Sequence, residues 1–132
     1  MGLDTHELAW AAGFFDGEGG TYIAVNKRGR KRENLHVSVR VAQVHRAPLD
    51  RFHAAVCDLG YVYGPYKNKR KNHQPCYMFM ATCFEHAQAI IAFLWKYLGA
   101  VKRQQAAKAL TALHAYHALP RLPRGLTSKR SR

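Results

Sequence analysis

Residues 11–20 read A-A-G-F-F-D-G-E-G-G, and the rest of the chain is organised around them. Just upstream and into this stretch, Leu8, Ala11, Ala12 and Phe15 recur at three- and four-residue spacing, the period of one helical face. Asp4 and Glu7 have capping-box spacing, which predicts a helix beginning near Thr5. Gly17, Gly19 and Gly20 then predict the end of that helix and a turn too tight for side chains. Asp16 and Glu18 sit within the turn. A carboxylate there faces the negative end of the helix dipole, an unfavourable placement by about 0.3–1 kcal/mol. A divalent cation is the natural compensating ligand; two solvated acids beside a glycine cap are the plain alternative. Ala9, Ala12 and Gly13 leave one flank of the helix nearly flat, so a second helix can approach closely there.

At 132 residues the chain suits one domain with a single core. Its charge is what sets it apart. Twenty-one Lys and Arg against eight Asp and Glu leave +13, which points to a polyanionic partner, nucleic acid or an anionic membrane surface. No apolar run is long enough to span a bilayer, and no signal peptide is evident at the N-terminus. Three cysteines, an odd number spread along the chain, predict reduced thiols and an intracellular, reducing compartment such as cytoplasm, nucleoid or organelle matrix. Nucleic acid is the leading partner.

Beyond the glycines, residues 21–27 (T-Y-I-A-V-N-K) read as a strand. Residues 35–44 alternate apolar Leu35, Val37, Val39 and Val41 with polar His36, Ser38 and Arg40, predicting a strand with one buried and one basic face. Pro48 suits the first turn of a second helix, with Leu49, Phe52, Val56 and Leu59 inward and Gly60 closing it. Residues 61–67 and 75–81 read as a second strand pair. Thr82 and Glu85 predict another capping box, opening a helix through Leu98 to a stop at Gly99. A last helix runs over 101–119, and residues 120–132 read as a basic, flexible tail. The order predicts an α+β fold, α-β-β-α-β-β-α, in one domain over residues 1–119.

The charge is concentrated. Lys27, Arg28, Arg30, Lys31 and Arg32 form one cluster, Lys67, Lys69, Arg70 and Lys71 a second, and the tail a third. The first two fall at equivalent hairpin tips, where they extend the polar face of a twisted sheet. Strand parity puts Tyr22, Ala24, Asn26, Arg28, His36, Ser38 and Arg40 on that face, joined by Tyr63, Met78 and Met80. A basic β surface fits the major groove, where Arg28 and Arg40 suit guanine and Asn26 suits adenine. The loop cations suit phosphates and set register.

His73, Cys76, Cys83 and His86 have metal-ligand residue types. The intervening Y-M-F-M-A-T reads as a strand, which would hold the two pairs about 20 Å apart at about 3.3 Å per residue. One tetrahedral zinc cannot bridge that gap.

The stretch A-A-G-F-F-D-G-E-G resembles the LAGLIDADG homing endonuclease motif, with Ala12, Gly13, Asp16 and Gly19 on the family letters. With the element order and basic hairpins, the resemblance covers about Asp4 to Tyr116. It implies a twisted antiparallel sheet shaped as a DNA-binding saddle. It implies a homodimer whose motif helices pack through Ala9, Ala12, Gly13 and Asp16, as single-motif members do. It implies a Mg²⁺ site at Glu18 with the Gly17 carbonyl, and catalytic roles for Glu18, Gln43 and Lys102, with Arg103 the rival of Lys102. Ca²⁺ is expected to bind without supporting cleavage. Gly20 and the bulky Phe14–Phe15 pair depart from the consensus without removing a catalytic group.

The implied activity is an intron-encoded, site-specific endonuclease making a staggered break in a long, near-palindromic double-stranded DNA. An intron maturase or regulator on the same fold, acting on intron RNA or DNA without cleavage, is the alternative. An unrelated RNA-binding protein would leave the acidic glycine turn unexplained.

Overall fold

Asp4 starts the first helix as the sequence predicts: its carboxylate accepts the backbone N–H of His6 at 3.0 Å and of Glu7 at 3.2 Å. Only half of the capping box forms, because Glu7 turns instead to Arg51 of the second helix. The structure, a computed structural model, describes residues 3–26, 34–67 and 74–118. Its elements are α1 (Thr5–Glu18), β1 (Gly19–Asn26), β2 (Asn34–Gln43), α2 (Arg46–Ala55), β3 (Tyr61–Tyr66), β4 (Cys76–Ala81), α3 (Phe84–Leu94) and α4 (Ala100–Ala118), with a single 3₁₀ turn at Trp95–Tyr97. The predicted order of elements holds, and the architecture is α+β.

The junction of α1 and β1 corrects the sequence reading. The helix continues through Glu18, and Gly19 is at once extended, at φ −99° and ψ 177°. None of Gly17, Gly19 and Gly20 has a left-handed backbone, and no turn separates the helix from the strand. Gly19 is needed for space instead. A Cβ there would overlap the ring of Phe15, with Cε1 2.6 Å away, and Phe15 is fully buried.

The four strands form one antiparallel sheet in the order β1-β2-β4-β3. Gly19 pairs with Val41 and Asn26 with Asn34, while Val39 pairs with Ala81 and Gln43 with Tyr77. The predicted alternation therefore becomes two faces. Val37, Val39, Val41, Phe79 and Ala81 point into the core against buried side chains of all four helices. Phe52 of α2 bridges the layers, stacked on Phe15 and edge-on to Phe79. Among the described residues no helix covers the opposite face.

This register also places the two hairpins. Since β2 and β4 are antiparallel, the β1–β2 hairpin opens at one end of the sheet and the β3–β4 hairpin at the other. Two smaller expectations are revised. Helix α2 stops at Ala55, because Cys57 and Asp58 are left-handed, with φ of 60° and 59°; Gly60 follows at 79°. Cys83, rather than Thr82, occupies the N-cap of α3, and its thiol donates to the Glu85 carboxylate at 2.7 Å.

Candidate nuclease site and nucleic-acid face

Glu18 ends α1, exposed, and has no hydrogen-bond or ion-pair partner among the described residues. Gly17 beside it is exposed, and a Cβ there would meet nothing. The adjacent carbonyl, of Gly19, accepts the ammonium of Lys102 at 2.6 Å. Lys102 reaches it from the first turn of α4, so a cation is held by the residue that follows the unpaired carboxylate at the negative end of α1. Arg103, its rival in sequence, turns away. Its guanidinium donates to the carbonyls of Trp95 and Lys96 at 2.9 and 3.0 Å and lies over the Trp95 ring, closing the preceding turn. Gln43 ends β2, two residues beyond the partner of Gly19, at the same end of the sheet. The residues singled out across 84 positions of sequence thus gather around one helix–strand junction.

The bare face holds the predicted groove residues. Tyr22 pairs with Ser38, Ala24 with His36, Arg40 with Met80 and Tyr63 with Met78, so all share one side of the sheet. Tyr22 and His36 are exposed. Ser38 is a correction: it lies on the right face but is only 4% exposed. Its hydroxyl accepts the Arg40 Nε–H at 3.0 Å, and Arg40 lies 5.6 Å over the Tyr22 ring. Ser38 therefore holds Arg40 in place and is covered by its neighbours. Lys67 follows β3 in an exposed position. Arg28, Arg30, Lys31, Arg32, Lys69, Arg70 and Lys71 lie outside the described residues, as do residues 119–132 and His73. Asn26 closes β1 opposite Asn34.

Sequence comparison finds no match, either to family models or among curated proteins. Solved structures do match. The homing endonuclease I-CvuI, crystallised with a DNA target, superposes with a TM-score of 0.65 at 23% identity, over 87% of this chain and 72% of that one. The homing endonuclease I-TnaI gives 0.65 at 24%, over 89% and 76%. The LAGLIDADG homing endonuclease I-GzeII, crystallised with its DNA target, gives 0.67 at 14%, over 92% of this chain but 40% of its own length. The fold is that of the LAGLIDADG homing endonucleases. The motif resemblance carried by residues 11–19 and the three-dimensional likeness point to the same fold.

Within this LAGLIDADG fold the motif helix shows its two sides, and one expected interface residue moves. Ala12 is fully buried in the core with Leu8, Ala11 and Phe15. Asp16 is half-buried and accepts the Gly99 N–H through both carboxylate oxygens, at 3.1 and 3.0 Å. Ala12 is therefore not free to meet a second chain, whereas Asp16, seven residues from Ala9 and so nearly in line with it along the helix, stays on the flank of the open side. The open stripe of small residues is Ala9, Gly13 and Gly17, four apart and all exposed.

One positioning residue escaped the sequence reading. Gln105, one turn beyond Lys102, accepts the Thr21 N–H through Oε1 at 3.0 Å and so ties α4 to the start of β1. The Q-Q in A-V-K-R-Q-Q-A stood in plain view, at i+3 from the lysine, on the same helical face.

Proposed function

We propose that the chain is a site-specific DNA endonuclease that acts as a homodimer. In this reading it hydrolyses one phosphodiester on each strand in a Mg²⁺-dependent reaction, leaving a staggered break in a long, near-palindromic target. The observation that carries the reading is Glu18: an exposed carboxylate with no partner among the described residues, next in the chain to the Gly19 carbonyl that holds Lys102, at the rim of a bare sheet face in a chain of net charge +13.

One chain supplies one such carboxylate. Among the described residues no group of three or more His, Cys, Asp or Glu is placed to hold a metal ion. A second Glu18, brought by a partner subunit across the Ala9–Gly13–Gly17 stripe, completes the donor set. Oxygen donors, the Glu18 carboxylate and the Gly17 carbonyl, suit Mg²⁺, a hard cation. When bound, it polarises phosphate oxygens and lowers the pKa of a coordinated water. Lys102, held by the Gly19 carbonyl, stabilises charge that develops on the phosphate. Gln43 orients water at the same edge. The ten residues of β2 extend about 30 Å at about 3.3 Å each, close to nine base pairs at about 3.4 Å. Two subunits therefore cover about twice that length, and the twofold symmetry makes the preferred target near-palindromic.

A library of duplex sites incubated with Mg²⁺, with Ca²⁺ as control, tests this directly. Discrete sites should be cut on both strands in Mg²⁺ and bound intact in Ca²⁺. Glu18→Gln should lower cleavage by about 10³-fold or more, the scale of losing an electrostatic stabiliser, while leaving DNA binding in place. Cleavage by that variant at the wild-type rate would refute the assignment. Specific binding without cutting would point to the regulator or maturase reading.

A further inference from the structure

Strands β3 (YVYGPY) and β4 (CYMFMA) contain no Asp, Glu, Lys, Arg or His, yet they make half of a face otherwise lined by polar and basic groups. On that face Tyr61 stands opposite Met80 and Tyr63 opposite Met78. The two tyrosines are 62% and 40% exposed, with rings 6.2 Å apart. Both methionines are half-buried between them and β2. A contiguous apolar patch left open on a sheet marks an interaction site.

The surrounding charge says what kind. Arg40 borders the patch in register with Met80, and Lys67 follows β3 at its far end. Cations at both margins favour a polyanion that presents apolar groups between its phosphates. In the major groove the apolar group on a base edge is the C5-methyl of thymine. Tyrosine offers broad, rigid contact area, and methionine adapts its shape to a small apolar knob.

We propose that Tyr61, Tyr63, Met78 and Met80 read thymine methyl groups by apolar contact, leaving hydrogen-bond reading to β1 and β2. The patch lies at the cleavage end of the sheet: Arg40, the partner of Met80, also pairs with Gly20, two residues beyond Glu18. The thymines it reads therefore belong to the base pairs nearest the cut. The inference rests on the DNA endonuclease reading above and adds the chemistry of its inner recognition positions.

The test uses the intact wild-type protein and a duplex site recovered from the library selection, with binding measured in Ca²⁺. Each thymine is replaced in turn by deoxyuridine, which removes only the methyl and keeps base pairing. Burial of one methyl corresponds to about a fourfold change in Kd. The expected result is that weakening, at inner positions alone, and its loss at one of those positions in Met78→Ala. A site bound and cut specifically, but indifferent to deoxyuridine or weakened equally along its length, would overturn this inference and leave the endonuclease reading standing. Failure to prefer any duplex sequence would remove both.

Discussion

Gly19→Ala is a sharp test of the α1–β1 junction, because two physical effects pull it in opposite directions. Gly19 has an extended backbone that alanine adopts without strain, so chain entropy alone predicts stabilisation by about 0.4–1 kcal/mol. Packing predicts the reverse. The new methyl would sit 2.6 Å from Cε1 of Phe15, against an ordinary contact of about 3.4–4 Å, so ring and strand must separate by about 1 Å. Phe15 is 1% exposed and stacked on Phe52 at 6.1 Å, which leaves its ring nowhere to go. Overpacking of this kind costs about 1–3 kcal/mol. The net expectation is a loss of about 1–2 kcal/mol, or a Tm lower by about 3–12 °C for a chain of this size. Thermal unfolding followed by circular dichroism, at one matched protein concentration, reads it. Phe15→Leu should relieve the clash, so the double variant should show a coupling of about 1 kcal/mol in the favourable direction. A Gly19→Ala protein that melts at or above the wild-type temperature would refute the packing argument.

Thr21 carries a buried hydroxyl with no partner among the described residues, so Thr21→Val should raise stability by about 1 kcal/mol in urea titration. The Arg51 guanidinium, hydrogen-bonded to Glu7 at 2.9 and 2.7 Å, holds that carboxyl below its usual 4.5. A depressed carboxyl stabilises the fold above its unfolded pKa and loses that contribution as pH falls through the folded value. Arg51→Met should therefore flatten the stability profile below about pH 4.5 relative to wild type, read by urea titrations across that range. A Cβ on Gly13 meets nothing within the chain, so Gly13→Leu should leave the far-ultraviolet circular dichroism unchanged. If α1 is the dimer helix, the same variant should sediment as a monomer where wild type is dimeric.

Much of this protein is legible in its sequence, because much of it is local. Period-two alternation over Leu35–Val41 and period-3.6 spacing over Leu8–Phe15 depend only on neighbours a few residues apart, and they set the element order, the core face and the bare face. The Asp4 cap is equally local. The glycines of residues 17–20 were visible as special, although their purpose was not: the demand at Gly19 comes from the Phe15 ring, not from φ. What tertiary structure alone decides are relations between distant residues. Lys102 meets the Gly19 carbonyl, and Asp16 the Gly99 amide, each across 83 positions, which separates Lys102 from Arg103 and ties α1 to the start of α4. The β1-β2-β4-β3 order sends the two hairpins to opposite ends of one face, although in sequence they are equivalent repeats. Side-chain periodicity tells which way a residue faces, but only packing tells what it faces.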